Sequence, residues 1–298
     1  MKKYIKGRNT HLLLDDISIV ASTNCSLYLN GVTTDAAAKM DVGDGIWDNP
    51  DFLRYEWGAT NESFVTNRAA SLKSLFIRIL NNDGKCSILF QSDNDIILRG
   101  EAIITQMVIS SNNNEFATLS LSFEGTGPLA PTGAVELYNP SSNEPRVQGR
   151  ALMLGVKGAD SHYHTFAAAT NHTITINLQT SDVSTKDDSA AFLEKEVTGK
   201  SISVTTDNLL CVKTDIGESC ITMNDLFEYL TTGKTITIGF GYYNNIDVAI
   251  GPDADWGTPS SLLLHGDFLT TSLTVNAPNK ENVTYSAEFS GKGTPYIE

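Results

Sequence analysis

No run of the 298-residue chain approaches the roughly 20 apolar residues that a membrane-spanning helix needs, so a soluble protein without a membrane partner is expected. Cysteine is scarce. Cys25, Cys86, Cys211 and Cys220 include no Cys-x-x-Cys pair and are too few for a disulfide-built scaffold, which favours free thiols and folding in a reducing cytoplasm. Positive charge is short as well. Twenty-one Lys and Arg face 35 Asp and Glu, a net charge of −14. Gripping nucleic acid relies on basic side chains displacing counterions, so tight binding of DNA or RNA is disfavoured. Gly7, Arg8 and Asn9 stand where the apolar core of an export signal would lie, and no such signal is expected.

Signatures of chemistry are missing too. There is no Gly-x-Ser-x-Gly elbow and no His-Glu-x-x-His helix. His162 and His164 would share one face of a strand but have no third ligand at a suitable spacing. Asp253 and Asp255 lack the remaining oxygens of a calcium loop. Gly125 and Gly127 follow a strand as a dinucleotide fingerprint would, yet Pro128 comes next, with neither a third glycine nor a helix. No catalytic residue, metal or cofactor is expected.

What the chain does contain is a repeat. Leu98 to Gly127 recurs, without a gap and 166 residues on, as Leu264 to Gly293. The matches are Leu98/Leu264, Gly100/Gly266, Thr105/Thr271, Asn113/Asn279, Thr118/Thr284, Ser120/Ser286, Phe123/Phe289, Gly125/Gly291 and Gly127/Gly293. An even spacing keeps the two faces of a period-2 strand in register: Ala117, Leu119, Leu121 and Phe123 answer Val283, Tyr285, Ala287 and Phe289. Each stretch predicts a two-stranded hairpin. Its first strand buries Ile103, Met107 and Ile109 in one copy and Leu269, Leu273 and Val275 in the other, and a Gly-x-Gly bend lets the chain leave the sheet.

Upstream the two halves continue to agree. Ser26 to Asn30 answers the alternating strand Thr173 to Asn177, and Glu56 to Thr60 answers Ser201 to Thr205, each pair flanking a polar loop (34–55 and 181–196). One helix per half follows. Ala70, Leu72, Leu75, Phe76, Ile79 and Leu80 in the first, and Met223, Leu226, Phe227 and Leu230 in the second, recur at helical spacing, with Gly84 and Gly233 past the ends. Strands Cys86 to Phe90 and Thr235 to Phe240 come next, and only the second half inserts a Gly-, Asp- and Pro-rich surface loop at 241–261. Between the halves Pro128, Pro131, Pro140 and Pro145 mark an extended connector. The reading is a mainly β, α+β chain of two tandem β-sandwich or barrel domains, each flanked by one α-helix: 1–130, a Pro-rich linker 131–148, and 149–298.

The stretch Gly266 to Gly293 resembles the closing hairpin of the major tail tube proteins of long-tailed bacteriophages. Thr185 to Asp188, followed by Gly199 to Val204, is similar to the middle of the same family. The resemblance implies a virion structural protein, not an enzyme, assembled in the host bacterial cytoplasm. Its subunits stack as rings into a tail tube through which genomic DNA passes without specific binding. Family rings hold six tube domains, so two per chain imply homotrimeric, pseudo-hexameric rings. Tail terminator, tape measure and tail tip proteins are the further partners implied, and inner tubes of contractile systems are a neighbouring possibility.

Two groups of residues follow from that reading. Met40, Ile46, Trp47 and Phe52 are expected to make inter-ring contacts, as the corresponding family loop does; burial of Trp47 and Phe52 beneath their own loop is the open alternative. The polar hairpin faces, Thr118, Ser120, Ser122 and Glu124 with Thr284, Ser286 and Glu288, are expected to line a lumen without cations. The competing function is a two-module carbohydrate- or receptor-binding β-sandwich. It predicts exposed aromatics at equivalent stations, whereas Trp57 answers Ile202 and Trp256 sits in the insertion.

Overall fold

The computed structural model describes residues 10–19, 21–35, 50–66, 69–92, 96–133, 146–183, 192–211, 220–242 and 262–297. The first half contains β1 (Thr10–Leu14), β2 (Ile17–Ser18), β3 (Ser22–Asp35), β4 (Pro50–Phe64), α1 (Ala69–Asn81), β5 (Lys85–Ser92), β6 (Ile96–Asn112) and β7 (Thr118–Pro131). The second contains β8 (Leu152–Lys157), β9 (Tyr163–Thr165), β10 (Ala169–Asp182), β11 (Lys195–Leu209), α2 (Met223–Thr232), β12 (Thr235–Tyr242), β13 (Leu262–Asn276), β14 (Thr284–Gly291) and β15 (Tyr296–Ile297). The chain is mainly β, and its fifteen strands join in one antiparallel sheet.

Both halves order their strands alike. Hydrogen-bonded neighbours run β3-β4-β7-β6-β5-β1-β2 in the first and β10-β11-β14-β13-β12-β8-β9 in the second. In each the helix enters between the second and fifth strands of that order. A seam between β6 and β10 unites the halves: Gln106 to Asn112 pairs antiparallel with Asn177 to Asn171. β6 is long enough to carry β5 on one part of an edge and β10 on the rest.

Apolar faces of both halves meet in one buried cluster that includes Trp57, Phe76, Phe123, Phe240 and Phe289. Helix α1 is part of the bond between halves, with Phe76 edge-on to Phe240 at 6.4 Å between ring centroids. Lys200 of β11 donates to the carbonyls of Ile79 (3.1 Å) and Leu80 (2.8 Å) and pairs with Asp83 at 2.7 Å, so a second-half cation caps the negative end of a first-half helix. α2 carries its own signals: Thr222 and Asp225 form a capping box, and Gly233 ends the helix at φ 63°.

Three expectations change. The Gly-x-Gly bend of the first hairpin is not an exit, since β7 continues through Gly125 and Gly127 to Pro131. Gly125 answers packing instead, since a Cβ there would lie 2.1 Å from the Trp57 indole, as one on Gly100 would at 2.4 Å, whereas Gly127 answers backbone conformation, at φ 78° with open space around it. The polar loops at 34–55 and 181–196 are shortened by strand, because β4 begins at Pro50 and β10 runs on to Asp182. Finally, the outer part of β13 is less buried than expected: Leu269 and Leu273 are half-buried and Val275 is exposed. Met107 and Ile109 are 1% exposed while Val275 is 49% exposed, because β10 covers the outer edge of β6 and no described strand covers the matching edge of β13.

Candidate functional site

Alternation along the closing hairpins sets the face of interest. Leu119, Leu121 and Phe123 point into the core, so Thr118, Ser120, Ser122 and Glu124 stand on the opposite side of β7. Tyr285, Ala287 and Phe289 do the same for β14, turning Thr284, Ser286 and Glu288 outward. The two hairpins, far apart in sequence, become one surface through the β6–β10 seam. Directly paired residues form continuous rows, one of which runs Thr118, Ser110, Thr173, Thr205, Glu288, Ser272 across six strands. The next runs Ser120, Val108, Thr175, Ser203, Ser290. Asn171, Asp207, Ser286 and Thr274 continue a third. Neither Lys nor Arg occupies any of these positions.

Hydrogen bonds fix the carboxylates in the face. Asp207 accepts from the Ser286 hydroxyl at 2.6 Å and from the Asn171 amide at 3.3 Å. At the border, Glu124 accepts from the Thr180 hydroxyl at 2.6 Å and from the Lys195 ammonium at 2.9 Å. Burial pushes the Glu124 carboxyl up, but the bonds from Thr180 and Lys195 outweigh it and hold the group below its ordinary value. The rows present short hydroxyls and carboxylates, with the Lys195 ammonium tied to Glu124 at one border and the Arg146 guanidinium 4.6 Å over the ring of Phe64, the β4 neighbour of Thr118, at another. Such a face is well hydrated and repels polyanions. Of its members, Thr173, Thr205, Asp207 and Lys195 were not singled out by sequence, although the alternation from Ser201 to Thr205 carried the signal.

Phe52 belongs to a different surface. It stands on β4 opposite Thr33, is 44% exposed, and packs at a tilt against Tyr55 with 4.3 Å between ring centroids, and Tyr55 in turn meets Phe192 at 5.4 Å. The Leu193 amide donates to the Tyr55 carbonyl (3.1 Å), and Arg54 pairs with Asp182 at 3.1 Å, so the strand ends of the two halves are clasped here. Met40, Ile46 and Trp47 lie outside the described residues, as do Asp253, Asp255 and Trp256. Trp57 is core, its indole N–H donating to the Gly127 carbonyl at 2.9 Å. His164 bonds Asp160 at 3.0 Å, and among the described residues no three His, Cys, Asp or Glu side chains converge as metal ligands. The four cysteines are free thiols.

No family model matches the chain, and no curated protein does. Among solved structures, a chain in the tail of an empty gene transfer agent particle, determined with C6 symmetry, is 16% identical, with a TM-score of 0.37. A chain from the virion of a native gene transfer agent particle is also 16% identical, with a TM-score of 0.36. In both cases the match covers 51% of the present chain and 98% of the other.

Proposed function

We propose that this chain is a tail tube subunit carrying two tandem tube domains (1–130 and 149–298, joined by 131–148), and that three chains close into a pseudo-sixfold ring that stacks into a DNA conduit. The observation that supports this most directly is the β6–β10 seam, in which two units of like strand order join edge to edge so that their polar faces form one uninterrupted wall. Repeating such a joint is a heterologous arrangement that closes on itself when the rotation per unit divides a full turn. A closed wall also leaves no strand edge unpaired. On this reading Thr118, Ser120, Ser122, Glu124, Thr284, Ser286 and Glu288 face the lumen, where hydroxyls and carboxylates let DNA slide without a cationic partner. Phe52, with Tyr55 and Phe192 beside it, belongs to the ring-to-ring contact, as do Met40, Ile46 and Trp47 by sequence. Negative-stain electron microscopy of the purified protein tests this: rings or tubes are expected. Dispersed monomers that bind glycans or a receptor instead favour the two-module binding protein.

A further inference from the structure

Three features are left uncovered among the described residues, two in the second half and one in the first, and each has a covered counterpart in the other half. The outer edge of β13 from Ser272 to Asn276 has no described strand beside it, while the matching stretch of β6 pairs with β10. The outer edge of β3 is likewise open, since β3 pairs with β4 alone among the described strands, whereas β10, its counterpart, pairs on both sides. The third feature is Phe227. The carbonyl of Arg78 closes the end of α1 by accepting from the Asn82 amide, and the carbonyl of Tyr229 closes α2 by accepting from the Gly233 amide. Phe76 and Phe227 both stand two residues before that carbonyl, yet Phe76 is 0% exposed and Phe227 is 59% exposed.

We infer that these surfaces are the two sides of one joint, in which β3 of one chain pairs antiparallel with β13 of a second copy in the register already used between β10 and β6. This rests on the ring reading above and adds the residues that make the contact. Carrying the internal register over by the two repeat spacings sets Leu27 opposite Val275, Tyr28 opposite Thr274 and Leu29 opposite Leu273. Leu29, 52% exposed, and Val275, 49% exposed, are thereby placed where Ile176 and Ile109 are each 1% exposed. Large apolar side chains on the core-facing side of an unpaired edge invite another strand, and this chain supplies a complementary one. The polar ends agree. Gln106 donates to Asn177 at 2.9 Å and Ser110 to Asn171 at 3.3 Å across the internal seam, and the corresponding pairs are Ser272 with Asn30 and Asn276 with Asn24. Phe227 then reaches Phe90 of the second copy, as Phe76 reaches Phe240: Phe90 and Phe240 pair with Leu98 and Leu264, which are themselves equivalent in the repeat. Because β3 and β13 are different strands, the contact is head to tail and each chain uses both sides at once.

The test uses the full chain with Cys25, Cys211 and Cys220 replaced by Ser, prepared separately as Tyr28→Cys and Thr274→Cys variants. Opposed residues in an antiparallel pair are close enough for a disulfide. Mild oxidation of the mixture is expected to give a covalent dimer that neither variant gives alone, and that a Tyr28→Cys and Ser272→Cys mixture gives in several-fold lower yield. Leu29→Asp and Phe227→Asp, both at exposed positions, should leave the far-ultraviolet circular dichroism of the subunit unchanged and abolish rings. Cross-linking of Tyr28→Cys with itself overturns the inference, as does an equal yield from the shifted pair. Rings seen by microscopy without the expected disulfide overturn this joint while leaving the ring reading intact; absence of rings from the unmodified protein overturns both.

Discussion

Phe76 and Phe227 hold the same station on their helices, and one is sealed while the other is open to solvent. The helices themselves are similarly amphipathic, so the difference arises from what lies beyond each: the second half covers α1, and no described residue does the same for α2. The lesson is that burial in this chain follows position in a row of like units more than local pattern. The same contrast separates Ile109 from Val275 and Ile176 from Leu29.

The largest effect that would break the comparison is on stability. Phe76→Ala should cost the subunit about 3–5 kcal/mol, as loss of a buried aromatic does, whereas Phe227→Ala should stay within about 0.5 kcal/mol. Urea denaturation of dispersed subunits measures both, and equal losses would show that the two helices do not differ as described.

Acid sharpens the comparison, because the halves carry different side chains at one station, buried in the second half and half-buried in the first. His172 lies in the core with its Nδ1 3.0 Å from the Thr206 hydroxyl, where the first half has Cys25. Burial lowers the His172 pKa to about 4, with only partial opposition from Asp207. The unfolded chain therefore takes up this proton before the folded one does. Stability should fall as pH drops from 6.5 toward 4, by about 2 kcal/mol between pH 6.5 and 5 for this group. His172→Asn should flatten the pH dependence of the urea midpoint in that window. Glu124, whose pKa is depressed, adds stability above the ordinary glutamate range that is lost only at lower pH.

A smaller effect concerns the helix end. Lys200 holds two α1 carbonyls and Asp83, and Lys200→Met should destabilise the subunit by about 1–2 kcal/mol. Thr222→Ala, which removes the α2 capping box, should cost about 1 kcal/mol and leave α1 unaffected. Thermal melts of the two variants compare an end capped by the other half with one capped by its own turn.

Much of this was legible in the chain itself. The period-2 alternation from Thr118 to Glu124 and from Thr284 to Glu288 marks two polar faces, and the spacing of Leu72, Leu75, Phe76 and Ile79 marks a helix. What the alternation does not carry is adjacency. Nothing in Thr173 to Asn177 says that Ser110 to Gln106 lies beside it, so the union of two hairpin faces into one wall was out of reach, and so was the role of Lys200. Val275 was misjudged for the same reason: its pattern is that of a core residue, and no described strand lies beside that edge of β13 to make it one. Trp57 offered no pattern, because its indole is held by Gly100 and Gly125, whose missing side chains matter only once β4, β6 and β7 are adjacent.

The central claim, a ring of three chains whose closing hairpins wall the bore, is tested most directly by a cryo-electron microscopy reconstruction of assembled tubes. The account predicts three chains per ring with pseudo-sixfold symmetry, Glu288 and Ser120 facing the lumen, and β3 of each chain beside β13 of the next. Glu288 on the outer surface, or a bore lined with Lys and Arg, would contradict it.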